Sequence, residues 1–328
     1  MALEAVLHTS ISDLLVINPQ RRNPHAKEAE VISKDYGQRL GIHLDNFDGY
    51  NSMSAFLYPR ASLERLVAII SIMNLLYYVD EAFERHARLE EDPQENDYLR
   101  KVFESSVPIL LYGQAPSTDN KIHHGCKLIH DLVAPLTTID WLKRFVKAIS
   151  EHLVSTTYTL DDVVESDADD ALKKYIGLRR LDCGMNPTML MIELAYGFYL
   201  PDSVRVHPFI QQVEAATANI AGLMNDLFSY EKEVIEYGSR FNLVAVLMDY
   251  KQLSFADAVA ESVGIVNQNT YDFLRLRNEI PSWGDKAIDD MVCRYVDALE
   301  DQISATWHWQ QTTDRYHSMT SPFPELRI

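Results

Sequence analysis

The chain has 328 residues, 47% hydrophobic and 24% charged, and its 30 basic against 48 acidic side chains give a formal charge of −18. That apolar fraction excludes a mainly disordered chain, and the acidity excludes a non-specific binder of nucleic acid or anionic lipid, which needs a basic footprint. An anionic ligand must therefore be met by local cations or by metal ions. Cys126, Cys183 and Cys293 are far apart and form no C-x-x-C pair. Free thiols in a reducing, cytoplasmic setting fit better than a zinc site or a disulfide framework. The opening MALEAVLHTS has no basic segment followed by an apolar one, so no secretory leader is expected.

In chain order, apolar residues at three- and four-residue spacing predict helices over Glu28–Leu40, Ser62–His86, Ile139–Tyr158, Phe209–Tyr237, Phe255–Asn278 and Asp285–Thr313. Breakers separate them at Tyr58-Pro59, Asp92-Pro93, Ala115-Pro116, Gly184 with Asn186-Pro187, Leu200-Pro201 and Ile280-Pro281. With no linker, no repeat and no hairpin pattern, the reading is one all-α domain. Its weakly patterned ends, 1–25 and 317–328, are expected to be mobile. Leu66 to Val79 is apolar almost all the way round, which predicts a helix enclosed by others. At fourteen residues it is too short for a membrane span, which needs roughly 20.

Two clusters carry chemistry. The enclosed helix stops being apolar at Asp80, Glu81 and Glu84, where buried carboxylates would call for a metal, unless the helix simply reaches solvent there. Further on, Asn225, Ser229 and Glu233 are spaced i, i+4, i+8 and stack along one helical face. They offer an amide oxygen, a hydroxyl and a carboxylate, hard donors suited to Mg²⁺. Lys232 returns to that face and Glu231 points away from it. The plain alternative is a polar stripe on a surface helix. If both clusters grip metal bound to a phosphate, Arg179, Arg180, Lys232 and Arg315 are the candidate cations for the remaining oxygens.

Taken together these residues resemble a class I terpene synthase, specifically the microbial single-domain type and most nearly the fungal sesquiterpene cyclases. The first acidic motif reads Asp80-Glu81-Ala82-Phe83-Glu84, preceded by Tyr58-Pro59. The second, Asn-Asp-x-x-Ser-x-x-x-Glu, is matched at Asn225, Asp226, Ser229 and Glu233 with its lysine at Lys232. The family's diphosphate-sensing arginine stands 46 positions before that Asn, which is Arg179 here, and the C-terminal Arg-Tyr pair is Arg315-Tyr316. Glu81 stands where the family commonly has a second Asp, which makes Asp80 the safer ligand.

The resemblance implies a single helical bundle around a central apolar cavity. It implies Mg²⁺, three ions in the family, held by Asp80, Glu84, Asn225, Ser229 and Glu233. Arg179, Lys232, Arg315 and Tyr316 would bind the diphosphate of a linear prenyl substrate, most simply farnesyl diphosphate. Ionisation and cyclisation to a sesquiterpene follow, with no nucleic-acid or membrane-spanning role, in the cytoplasm and with a homodimer compatible. Phe56, Tyr77, Phe83 and Trp309 are the candidate aromatic walls, since ring faces stabilise passing cations. The family also joins its sensing Arg to a linker three residues on and an effector carbonyl four residues on. Here these are Asp182 and the backbone of Cys183, beside the Gly184 and Pro187 expected to break the helix and free carbonyls.

A diterpene cyclase using geranylgeranyl diphosphate is the alternative, and a chain-elongating prenyltransferase the more distant one. Asp161-Asp162-Val163-Val164-Glu165 also spells an Asp-rich motif that would suit the latter. It runs into the acidic Ser166–Asp170 stretch, so a solvated loop is expected.

Overall fold

The computed structural model describes residues 10–17, 21–42, 47–88, 93–116, 119–155, 158–165 and 167–327, with side chains described at all of these except 47–51, 80–88 and 93–100. Among the described residues there is no strand. The helices are α1 (Ala26–Leu40), α2 (Phe47–Leu57), α3 (Leu63–Arg88), α4 (Pro93–Tyr112), α5 (Lys121–Val133), α6 (Ile139–Ser155), α7 (Ala168–Asp182), α8 (Met185–Tyr196), α9 (Asp202–Arg205), α10 (Pro208–Phe228), α11 (Leu243–Tyr250), α12 (Phe255–Asn278) and α13 (Lys286–Thr312). No described helix is long and apolar enough to cross a membrane.

Two compact units interleave along the chain. One takes Arg21–Ile149 and Leu190–Tyr199. Its centre is α3, which packs on α1, α2, α4 and α5. Leu66, Ile69, Ile70, Ile72 and Leu75 are buried on every side, as the unbroken apolar run requires.

The other unit takes Ser150–Met189 and Leu200–Ile328 with the N-terminal segment. Here α10 is the hub, packed on α7, α11, α12 and α13. His207 accepts from the Phe209 N–H and Pro208 fills the first turn, so α10 starts where its orphan donors are satisfied. From Ala216 to Leu223 only Asn219 is not buried. Asp285, Ser254 and Asp167 cap α13, α12 and α7 with their side chains. The acidic stretch before α7 is thus a helix start.

Two expectations need correction. The helix predicted over Phe209–Tyr237 ends at Phe228, and Glu231–Glu236 form a π turn. There the Tyr237 N–H reaches the Lys232 carbonyl five residues back, at 3.1 Å, and the Ser239 N–H closes on the Glu233 carbonyl at 2.8 Å. The C-terminal end, expected to be mobile, is anchored at several buried residues. Ser321, Phe323 and Leu326 are buried, and the Phe323 ring lies 6.4 Å from Tyr230 and 6.0 Å from Phe255. At the other terminus, Ser10 Oγ and the Ile11 N–H bond the Glu325 carboxylate, and the Leu15 N–H donates to Asn267 at 2.8 Å.

Candidate active site

The site in this second unit is built where α7 lies on the C-terminal half of α10. Ala171, Tyr175 and Arg179 form the buried stripe of α7 at i, i+4, i+8 spacing. Arg179 then spreads its guanidinium in three directions. Nε donates to Asp226 Oδ1 at 2.7 Å, Nη1 to Asp182 Oδ2 at 2.9 Å, and Nη2 to Asn225 Oδ1 at 3.0 Å. Asp226 is fully buried. It also accepts from the Tyr175 hydroxyl and from the Leu243 N–H at 3.0 Å.

Asn225, Ser229 and Glu233 keep their stack despite the π turn. The Ser229 N–H bonds the Asn225 carbonyl and the Glu233 N–H bonds the Ser229 carbonyl, both at 2.8 Å, so the steps between the three remain α-helical. The Asn225 amide donates to the Tyr316 hydroxyl at 2.9 Å, and Trp309 packs edge-on to Tyr316 with centroids 5.7 Å apart. Arg315 occupies the same short 3₁₀ turn as Tyr316. Lys232 Nζ lies 5.5 Å over the Tyr237 ring. Of the expected site residues, the structure therefore brings Arg179, Asp182, Asn225, Ser229, Glu233 and Tyr316 together. The side chains of Asp80, Phe83 and Glu84 lie outside the described residues. Phe56 and Tyr77 are half-buried in the other unit, Tyr77 with its hydroxyl 3.3 Å from Met53 Sδ.

Burial dominates the electrostatics. It pushes the Glu233 carboxyl up to about 7 and the Asp182 carboxyl up to about 6, with Arg179 acting against both shifts. Burial raises Asp226 too, while Arg179, Tyr175 and the Leu243 N–H pull the other way. Burial also holds the Tyr175 hydroxyl well above its usual range, with the Asp226 charge adding to it, so it stays a donor. Desolvation disfavours the Arg179 charge, yet Asp226 and Asp182 outweigh it and the guanidinium stays protonated. Three carboxyls thus surround one cation, an acidic surplus.

This donor set fits a divalent metal. Glu233 accepts from the Asn242 amide at 3.4 Å and has no ion-pair partner among the described residues, while the Ser229 hydroxyl beside it donates to the Asn225 carbonyl at 2.8 Å. A desolvated carboxylate beside a hydroxyl and an amide oxygen is a hard-cation environment. Among the described residues no three His, Cys, Asp or Glu side chains form a metal cluster; this triad brings only one acid.

The break after α7 can be followed carbonyl by carbonyl. The Cys183 N–H takes the Arg179 carbonyl at 2.9 Å, the Cys183 thiol the Arg180 carbonyl at 3.3 Å, and the His152 ring the Leu181 carbonyl. Thr188 Oγ1 takes the Gly184 carbonyl at 2.8 Å. The helical partner of the Cys183 carbonyl would be residue 187, a proline with no N–H, and no donor among the described residues replaces it. Gly184 makes the turn at φ +71°. Gly222 of α10 allows the close approach, since a Cβ there would lie 2.9 Å from the Cys183 Cβ.

A family model described as terpene synthase family 2, C-terminal metal binding, matches residues 71–272. The chain belongs to the terpene synthases. Sesquiterpene synthase 3 of Postia placenta is 31% identical over 93% of this chain and 82% of its own length. A delta(6)-protoilludene synthase of Stereum hirsutum is 26% identical over 91% of this chain and 80% of its own. Among solved structures, an α-eudesmol synthase superposes with a TM-score of 0.77 at 20% identity, over 91% of this chain and 98% of that one, and shares the fold. This synthase is therefore an all-α terpene cyclase, a lyase with a metal-binding domain.

Sequence reasoning missed several parts of the synthase's site. Asn242 caps α11 through its side-chain oxygen while its Nδ2 holds the Asp226 carbonyl at 2.8 Å and reaches Glu233 at 3.4 Å. Tyr175 was legible only as the residue one turn before Arg179. Glu231 does point off the Asn225 face, yet its carboxylate is engaged by Ser318 and Thr320. Arg180 bonds Asn219 of α10 at 3.0 Å and takes no part in the Asp226 network. The Asp161-Asp162 pattern forms a short 3₁₀ turn in which Asp162 accepts from the Thr159 N–H at 2.8 Å, and Glu165 pairs with Lys174 at 3.0 Å. Those acids hold local structure.

Proposed function

We propose that this terpene cyclase is Mg²⁺-dependent and converts farnesyl diphosphate to a cyclic sesquiterpene. The observation that carries the reading is the three-way Arg179 fork. One charged plane contacts the second metal motif at Asn225, its buried neighbour Asp226, and the linker Asp182 beside the unbonded Cys183 carbonyl. The names of the relatives as sesquiterpene synthases favour the farnesyl over the geranylgeranyl substrate.

Asn225, Ser229 and Glu233, with Asp80 and Glu84 from α3, would hold the metal, and Arg179, Lys232, Arg315 and Tyr316 the diphosphate. The metal supplies Lewis-acid stabilisation of charge developing on the leaving diphosphate. Arg179 contributes fixed positive charge to the same oxygens, pre-aimed by Asp182 and Asp226. The allylic C–O bond breaks with its electron pair leaving on the diphosphate, and the Cys183 carbonyl presents negative potential to the nascent cation. Phe56, Tyr77, Phe83 and Trp309 would supply ring faces to that cation, and an apolar surround keeps water from early capture. Deprotonation or water ends the sequence. A cytoplasmic location and a homodimer complete the reading, and the chemistry needs neither.

Incubation with farnesyl and geranylgeranyl diphosphates, each with and without isopentenyl diphosphate and Mg²⁺, followed by gas chromatography, tests it. A cyclic hydrocarbon or alcohol from the farnesyl substrate alone is expected, with none in chelator. Product only from the longer substrate, or a lengthened chain, would overturn the substrate and reaction assigned.

A further inference from the structure

The second metal motif carries one acidic side chain that the metal reading leaves aside. Glu231 lies between Ser229 and Glu233 in sequence, but its carboxylate turns to the C-terminal segment. Ser318 Oγ sits 2.8 Å from both of its oxygens, and Thr320 Oγ1 donates to Oε1 at 2.6 Å. The two hydroxyls are also 3.0 Å apart, and Ser318 Oγ accepts the Thr320 N–H at 3.1 Å, so they form one preshaped clasp. Two further attachments flank the clasp. On its N-terminal side Tyr316 meets Asn225, and on its C-terminal side Phe323 packs on Tyr230. Residues 225 to 231 therefore hold residues 316 to 323 at three places, ligand-bearing turn against C-terminal strap. Along the strap the His317 ring also meets the Thr313 carbonyl at 2.8 Å and the Ser318 N–H the Leu326 carbonyl at 3.1 Å, while Asp314, Met319 and Thr320 are exposed.

Hydrogen bonds to a carboxylate are among the stronger kind, and in a loop segment with exposed positions they add to what fixes its conformation. We propose that Glu231 is a positioning residue that clasps the strap 314–320 to the metal-binding turn, and so fixes where Arg315 and Tyr316 meet the substrate diphosphate. The inference rests on the diphosphate-binding role given above to Arg315 and Tyr316. It goes beyond helical facing, which says only that Glu231 points away from the face of Asn225, Ser229 and Glu233. Glu231 touches neither metal nor substrate in this scheme. It acts through the strap, and every turn of that path is intramolecular, so it operates before ligand arrives.

The test compares Glu231→Ala, Glu231→Gln, the pair Ser318→Ala with Thr320→Val, and all three removals together. Hydrogen exchange of the amides of 314–320 is read in the ligand-free enzyme, and affinity for inorganic diphosphate with Mg²⁺ by calorimetry. Glu231→Ala should speed that exchange by roughly tenfold or more and weaken diphosphate binding by about tenfold. In turnover, KM should rise by a similar factor while kcat changes by less than about threefold. The hydroxyl pair should reproduce these effects from the other side, and the combined variant should be no worse than either, because one contact is removed only once. Glu231→Gln, which keeps an acceptor oxygen, should recover much of the loss. Additive effects, or unchanged exchange in both Glu231→Ala and the hydroxyl pair, would overturn the clasp. Faster exchange with unchanged diphosphate affinity would overturn the positioning role. An enzyme that turns over no prenyl diphosphate would sink the proposed function instead, and the exchange and diphosphate arms, which need no turnover, still decide the clasp.

Discussion

Replacing Arg179 with lysine keeps the charge and removes the geometry. In the native site three nitrogens of one rigid plane reach Asp226, Asp182 and Asn225 at 2.7, 2.9 and 3.0 Å. An ammonium at the end of a flexible stem can satisfy one of these, and Asp226, the most buried, would take it. The loss is then one charge-assisted hydrogen bond, about 1.5–3 kcal/mol, and one to a neutral amide, about 0.5–1.5 kcal/mol. Summed, that is about 2–4.5 kcal/mol, which for a chain of 328 residues corresponds to a fall in Tm of roughly 3–6 °C. If 2 kcal/mol of it is felt in the transition state, kcat/KM drops by about 30-fold. Arg180→Lys is the matched control, because Arg180 makes a single hydrogen bond to Asn219. Its kcat/KM should stay within a few fold. Thermal melts and steady-state kinetics on both variants decide the matter. A lysine at 179 with Tm within a degree and kcat/KM within twofold of wild type would refute the fork as the organiser of this site.

Gly222→Ala sets two effects against each other: a mid-helix Gly normally costs about 1 kcal/mol relative to Ala, but here the new Cβ meets the Cys183 Cβ at 2.9 Å. Overpacking of about 1–3 kcal/mol should win, with net destabilisation on urea melting and impaired turnover, whereas Cys183→Ala, which leaves the carbonyl in place, should stay active; the reverse ranking would remove the carbonyl from the mechanism. Burial lowers the His152 ring to about 4 from 6.5, with its Leu181 hydrogen bond acting the other way. Between those values the unfolded chain binds more protons, so stability should fall as pH drops from 6.5 towards 4 by up to about 3 kcal/mol. His152→Phe should lack that increment in chemical-denaturation curves taken across the window, and identical pH slopes for the two proteins would rule it out. Asp161→Asn with Asp162→Asn should leave the product rate within a few fold, since Asp162 is occupied capping its own turn; a loss matching Asp80→Asn in radiolabel assays would reopen the prenyltransferase alternative.

Much of this molecule could be read from local pattern. Period and caps are properties of neighbouring residues, so Phe255–Asn278 came out with both bounds as predicted and Asp285 marked the start of α13. The stack of Asn225, Ser229 and Glu233 followed from helical spacing and survived the π turn because its own steps stay i to i+4. The unbonded Cys183 carbonyl follows from a proline four residues on, which is sequence alone. What the sequence could not decide was which partner each polar group takes across the fold. That choice is made by side chains 17 to 91 residues apart: Asp226 with the Leu243 N–H, Tyr175 with Asp226, Glu231 with Ser318, Asn225 with Tyr316. Facing on one helix predicts only what a residue turns away from, as Glu231 shows. Its destination depends on where the C-terminal strap returns, and the desolvation that shifts Glu233 and Asp182 exists only once α7, α10 and α11 have closed around them.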